Sequence, residues 1–270
     1  MQTHPPTHPP AHPTRSSQAL TLQGWTVLSL RPRGQHGSLR AAAGRYGART
    51  LALSPFVIEP LADQRHRKAL KHALAADITV WTSPNAVRAA AVLQSLQARP
   101  GQAWLAVGRG TRRALQRAGI AASAPSRMDS EGLLAMPELQ GVRARSIGLV
   151  TAPGGRGLLA TVLAERGAQV VRADVYARRA IAFSTRALTA LDAAVASPQR
   201  ILLVLSSQDA LQALLATRPL GSHCVLADIK VVAASQRLAD IASSAGFQCI
   251  TVATSATPGA LLQAAAKVFA

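Results

Sequence analysis

The sequence predicts an α/β fold made of two similar parallel-sheet domains, and three observations carry that prediction. From Trp25 onward, apolar strand-forming runs alternate with helix-period segments, the pattern of parallel sheets built from βα units. Four such units recur in the same order at a nearly constant spacing, which marks an internal duplication. In the first three, a short joint of Ser, Thr, Gly or Pro carries the strand into its helix.

Taken in order, residues 1–23 are rich in His, Pro, Thr and Gln and read as a disordered tail. They lack both the basic start and the apolar stretch of a secretory leader. "VLSLRPRGQHGSLRAAAGRYGA" (27–48) is echoed by "GLVTAPGGRGLLATVLAERGA" (148–168), matching Pro32 with Pro153. "DITVWTSPNAVRAAAVL" (77–93) is echoed by "RILLVLSSQDALQALLA" (200–216), matching Ser83 with Ser206. "WLAVGRGTRRALQRAGI" (104–120) is echoed by "IKVVAASQRLADIASSAGF" (229–247), matching Val107 with Val232. Last, "SEGLLAMPEL" (130–139) is echoed by "TPGALLQAAAKVF" (257–269). The expected domains are of the Rossmann-like or flavodoxin-like kind.

Composition narrows the function. The chain has 270 residues, 49% apolar, with a formal net charge of +18 and a sequence pI of about 11.7. Such a basic chain suits a polyanionic partner. Nucleic acid is disfavoured, because aromatics are only 3% and stacking platforms are therefore scarce. The apolar runs are short, of the kind of "ILLVL" from Ile201, far below the roughly 18 residues that cross a bilayer. No membrane association is expected. Cys224 and Cys249 have no CxxC spacing and fit a reduced, cytoplasmic setting. The twelve carboxylates are dispersed, with no DxD and no HExxH, so neither a metal site nor a two-carboxylate hydrolase is expected. The His-Pro tail is the one compositional metal cue. His36, His66, His72 and His223 lie in polar contexts and read as solvated or incidental.

The strand-to-helix joints are the candidate site. The first turn of a helix exposes N–H groups it cannot pair, and the helix dipole adds partial positive charge there. In an open α/β sheet these joints line the crevice at the carboxyl edge. Ser83, Asn85, Ser206, Ser207, Thr111 and Ser235 therefore read either as helix caps or, together, as carboxylate-binding groups.

The chain resembles the uroporphyrinogen-III synthase family. The stretches that carry the likeness are "VLSLRPRGQ", "SPFVIEP" (54–60), "TVWTSPNAVRA" (79–89), "AVGRGTRRAL" (106–115), "SEGLL" (130–134), "APGGRGLL" (152–159) and "RGAQVVRADVYARRA" (166–180). "LLVLSSQDAL" (202–211) and "VVAASQRLADIA" (231–242) complete the set. Their order and spacing are specific, though each alone is degenerate. The resemblance implies that the first βα unit belongs with the C-terminal half. One domain would take 24–55 plus 182–270 and the other 61–175, joined by a two-stranded β-ladder of connectors 56–60 and 176–181. It also implies a monomeric, cofactor-free lyase of tetrapyrrole and haem biosynthesis. That enzyme cyclises hydroxymethylbilane, with loss of water and inversion of ring D through a spiro intermediate, and receives its substrate by transient handover from hydroxymethylbilane synthase.

The same resemblance carries roles onto individual residues. Tyr176 matches the tyrosine of the second connector and would donate a proton to the leaving hydroxyl. Thr111 matches the threonine of a VGxxT loop. Ser206 and Ser207 follow the penultimate strand, and Ser235 and Gln236 fall where the family commonly reads G-x-T-T. There Ala233 replaces the glycine and Gln236 a hydroxyl, which favours an alternative: a two-domain ligand-binding or regulatory module that kept the fold and lost catalysis. Arg31 and Arg156 would meet substrate carboxylates, and Thr82, Ser83 and Asn85 would form a carboxylate cradle.

Overall fold

A computed structural model describes residues 22–154, 157–196, 200–217 and 228–269. Arg156, His223, Cys224 and nearly all of the expected tail lie outside these. The described chain has eleven strands and divides into two compact units, one taking residues up to Pro55 and from Phe183 onward, the other Phe56–Ala182. The fold is α/β, with two parallel sheets and one small antiparallel sheet.

The first unit opens with β1 (Thr26–Ser29), α1 (Gly37–Arg45) and β2 (Arg49–Ala52). It resumes after the second unit with α7 (Thr185–Val195), β9 (Ile201–Leu205), α8 (Gln208–Leu215), β10 (Lys230–Ala233), α9 (Gln236–Ser244), β11 (Ile250–Val252) and α10 (Pro258–Phe269). Its sheet runs β11-β10-β9-β1-β2, all parallel. Counted within the unit, that is the flavodoxin-like 2-1-3-4-5 order, and the direction of winding reverses between β1 and β9. Both sheet faces are covered, so β9 is buried throughout and reads as an unbroken apolar run.

The second unit has β4 (Ile78–Trp81), α3 (Pro84–Leu93), β5 (Ala103–Ala106), α4 (Arg109–Arg117) and the short α5 (Ser130–Leu134). Next come β6 (Ser146–Thr151), α6 (Leu158–Glu165) and β7 (Gln169–Asp174), while α2 (Gln64–Leu74) precedes them all. The sheet order is β5-β4-β6-β7, again parallel, with Ser123 bridged beside Leu105 at the edge. Trp81 stacks on Trp104 at 5.3 Å inside the core on the α3 side. A separate ladder pairs β3 (Phe56–Pro60) with β8 (Tyr176–Ala180), antiparallel.

The four strands of the second sheet match four of the five in the first. β1 and β2 correspond to β6 and β7, and β9 and β10 to β4 and β5. The matched pieces come in opposite chain order, so one unit is a circular permutation of the other. The pairing register, however, corrects the alignment read from sequence, by one residue at the first two echoes and by two at the third. Ser83 caps α3 by accepting from the Ala86 N–H, and the residue that caps α8 in the same way is Ser207, not Ser206. Thr82 therefore corresponds to Ser206, and Trp81 to Leu205. Pro32 falls against Ala152 rather than Pro153. The helix starts Gly108 and Ser235 correspond as well, which shifts Val107 onto Ala234. Side chains alternate across a strand, so a one-residue slip moves every residue to the opposite face; helix packing therefore decides the register. The last echo is truncated in the second unit, where Pro137 opens a 3-10 turn, Pro137–Leu139, against the twelve-residue α10.

Among the described residues no helix is long and apolar enough to cross a membrane. None of their His, Cys, Asp and Glu side chains cluster in threes fit to hold a metal ion.

Candidate active site

In the second unit the switch in winding falls between β4 and β6, and a cavity of about 680 Å³ opens off their carboxyl ends. The joint Thr82-Ser83-Pro84-Asn85 builds one wall. Pro84 occupies the first helical turn, where its missing N–H costs nothing. Ser83 has extended backbone and its Oγ takes the Ala86 N–H at 3.0 Å. That oxygen also lies 3.1 Å from the phenol oxygen of Tyr176, the first residue of β8. Thr82 donates its hydroxyl to Thr151 Oγ1 at 2.8 Å, closing the crevice floor between the two strand ends.

The charged wall comes from the loop before α5. Arg127 Nε donates to Asp129 at 2.6 Å and its Nη2 to Glu131. Asp129 caps α5 by accepting the Gly132 N–H at 2.8 Å. That bond, then Arg127, holds the Asp129 carboxyl below its usual range, while Asp129 and then Glu131 raise the Arg127 pKa. Gly132 is required here, since a Cβ would sit 1.9 Å from the Arg127 carbonyl oxygen. Thr151, Ala152, Pro153 and Gly154 supply the β6 rim, and Arg178 of β8 completes the lining.

Of the residues expected from sequence, Thr82, Ser83 and Tyr176 line this one cavity. Asn85 does not; its Oδ1 takes Arg88 Nη2 at 2.5 Å on the flank of α3. Arg88 in turn has its pKa lowered by burial and Arg117, with the Tyr176 oxygen acting in the opposite sense. Thr111 is buried inside α4, only 3% exposed, and does not line this cavity.

Arg31, Ser206, Ser207, Ser235 and Gln236 belong to the first unit and sit at its carboxyl edge. Arg31 Nε is buried without a hydrogen-bond partner, and burial pushes the guanidinium pKa down. Continuing the β1–β9 register two residues past Ser29 and Val204 brings Arg31 opposite Ser206, where the second unit sets Thr151 against Thr82. Ser206 is exposed, and Ser207 caps α8 through Ala210 N at 3.4 Å. Ser235 begins α9 without a side-chain cap, and Gln236 donates to Asp240 at 2.8 Å along the helix surface.

One histidine departs from expectation. His36 is buried, its Nδ1 2.8 Å from Ser29 Oγ and its Nε2 2.8 Å from Ser54 Oγ. Burial, then Arg40 and Arg31, lower its pKa. The ring is therefore a neutral bridge between two strand ends, invisible from a sequence context of Arg, Gly and Gln. Thr151 and Arg178 also carry no signal strong enough to single them out from sequence by type alone. Thr151 was discoverable, as the last residue of the "GLVT" strand at the switch point.

A family model described as HEM4, uroporphyrinogen-III synthase HemD, matches residues 37–263. A uroporphyrinogen-III synthase from Salmonella typhimurium is 33% identical over 146 residues, covering 50% of this chain and 54% of that protein. The one from Escherichia coli K12 is 33% identical over 138 residues, covering the same shares. The chain thus spans about half the length of the curated relatives it matches. Two solved structures share the fold. A mutant uroporphyrinogen III synthase from the extremely thermophilic bacterium Thermus thermophilus has TM-score 0.53 at 21% identity, over 88% of this chain and 96% of that one. The synthetase from Helicobacter pylori 26695 has TM-score 0.57 at 17% identity, over 90% and 98%. With the family model matched across most of its length, the chain belongs to the uroporphyrinogen-III synthase family.

Proposed function

We propose that the protein closes hydroxymethylbilane to uroporphyrinogen III, with loss of water and inversion of ring D. The observation that carries this reading is the Tyr176 hydroxyl, hydrogen-bonded to Ser83 at the wall of a roomy polar cavity that holds Thr82, Thr151 and Arg178. A flexible octacarboxylate needs to be bent more than it needs a nucleophile, and orientation is worth on the order of 7–11 kcal/mol.

In this reading Tyr176 gives its proton to the departing hydroxyl, which leaves as water. Ser83 orients the phenol, and Arg88 stabilises the phenolate that remains. The substituted α-carbon of ring D attacks the azafulvene carbon, giving the spiro intermediate. Fragmentation of the old bond frees ring D to turn over, and its other α-carbon closes the macrocycle. The hydrogen lost from that carbon balances the proton that Tyr176 gave. Asn85 acts by holding Arg88 rather than by touching substrate. Arg31, Ser206, Ser207, Ser235 and Gln236 meet peripheral carboxylates, and Arg156 belongs to the same set. Handover of the substrate from hydroxymethylbilane synthase and a cytoplasmic setting accompany this proposal, supported by the family membership.

The test supplies porphobilinogen and its deaminase, adds this protein, oxidises the products and separates uroporphyrin isomers. Type III product is expected, and type I alone would overturn the reading. A second reading, a ligand-binding module without catalysis, is favoured only by the loop at Ala233, where Gln236 is tied to Asp240. It predicts binding of the tetrapyrrole with type I product alone.

A further inference from the structure

We propose that the arginine face of α4 captures the polycarboxylate electrostatically at the rim of the cavity, setting the rate at which it is bound; this deepens the functional reading above and rests on it. At about 100° per residue, Arg109, Arg112, Arg113 and Arg117 fall within one arc of about 140° on α4. Thr111, Ala114 and Leu115 fill the opposite arc and are buried. Arg109, Arg113 and Arg117 are exposed, and none of them forms an ion pair with a carboxylate among the described residues. Arg112 Nε, in the middle of the row, is buried without a hydrogen-bond partner. Four cations on one face with no anion of their own form a surface that an incoming polyanion completes.

The row also stands in the right place. Val107, just past β5, lines the cavity, and α4 starts two residues later, no more than about 7 Å further along the chain. Gly110, in the first turn, abuts Pro84 of the joint that builds the cavity wall, with 3.5 Å between the place of a Cβ and Pro84 Cγ. Side chains on a helix lean toward its N-terminus, so Arg113 and Arg117 tilt toward the carboxyl edge where the cavity opens.

The cavity needs such help because part of its lining is acidic. Arg127 is outnumbered there by Asp129 and Glu131, both of which pair with it. Arg172, at the end of β7, is likewise paired with Asp174 at 3.0 Å. A ligand with eight carboxylates approaching the loop before α5 therefore meets a net negative charge. The α4 row reverses that field along one direction of approach, and charge of this kind raises association rates rather than altering chemistry.

The experiment uses the full chain and uroporphyrin III, an octacarboxylate product analogue, with stopped-flow quenching of protein fluorescence at several salt concentrations. Arg109→Gln with Arg113→Gln should slow association about fivefold or more at an ionic strength of about 10 mM, where charges act over about 30 Å. At about 1 M, where they act over about 3 Å, the difference should shrink below about twofold. Dissociation should change little, and in the coupled isomer assay kcat/KM should fall while kcat holds. Lys71→Gln with Arg143→Gln removes the same charge at the amino edge of the sheet and should leave association within about twofold of wild type. Arg109→Lys with Arg113→Lys keeps the charge and should match wild type, which separates steering from any effect on folding. Equal salt dependence in wild type and the α4 glutamine variant overturns the proposal. So does an equal loss in the amino-edge variant, a lysine variant as slow as the glutamine one, or no quenching at any salt. If the wild type yields only type I product, the functional reading fails, while the association rates still decide the role of the α4 row.

Discussion

Ser83 Oγ serves two partners at once, taking the Ala86 N–H at 3.0 Å and lying 3.1 Å from the Tyr176 hydroxyl. One side chain thus caps α3 and sets the phenol. The two duties separate on mutation. Tyr176→Phe should cut kcat about 100-fold while moving the melting temperature by no more than a degree or two. Ser83→Ala should cost about 1 kcal/mol of stability through the lost cap and also reduce kcat. Melting curves beside single-turnover rates check both, and equal loss of stability and rate in Tyr176→Phe would show a packing role instead.

The Thr82–Thr151 hydroxyl pair ties β4 to β6 across the switch point. A double-mutant cycle with Thr82→Val and Thr151→Val should give a coupling of about 1 kcal/mol in urea unfolding. Additive effects would mean that the pair carries no stability of its own.

His36 gives the first unit a pH dependence with a definite sign. Its folded pKa lies below the ordinary 6.5, because burial and then Arg40 and Arg31 oppose its charging. The unfolded chain takes up the proton first as pH falls, so the stabilising effect is complete above about pH 6.5. It declines as pH drops toward the folded pKa and then levels off. The urea midpoint should fall between pH 7.5 and 5, and His36→Gln should flatten that fall. A midpoint equally pH-sensitive in the variant would place the titration elsewhere.

Two glycines should respond oppositely to alanine. Gly148 in β6 lies under α2, where a Cβ would stand 1.9 Å from the Ala73 carbonyl oxygen. Gly148→Ala should cost about 3 kcal/mol or more, since backbone rather than a flexible side chain must yield. Gly44, inside α1, has nothing within 4 Å of a new Cβ. Gly44→Ala should stabilise by about 0.5–1 kcal/mol. Differential scanning calorimetry of both variants provides the check.

Much of this molecule was legible from local pattern. The strand and helix signals, the duplication and the capping role of Ser83 all follow from short-range rules: side-chain periodicity, turn chemistry, and the Pro84 N-terminal preference. The resemblance added the ladder that Phe56–Pro60 and Tyr176–Ala180 form. The register of the duplication did not follow. Matching Ser83 with Ser206 is as good by residue type as matching it with Ser207, and only the helices packed on each face decide between them.

By itself, then, the order of residues determined which segments become strands, which become helices, and that the same design occurs twice. Tertiary structure alone decided that Ser83 meets a tyrosine 93 residues away, that Thr82 meets Thr151, that Arg178 lies on Phe56, and that His36 is buried. Propensity and capping act over a turn or two of chain. A hydrogen bond between distant strands, or the burial of a ring, depends on which surfaces meet once the sheets have assembled.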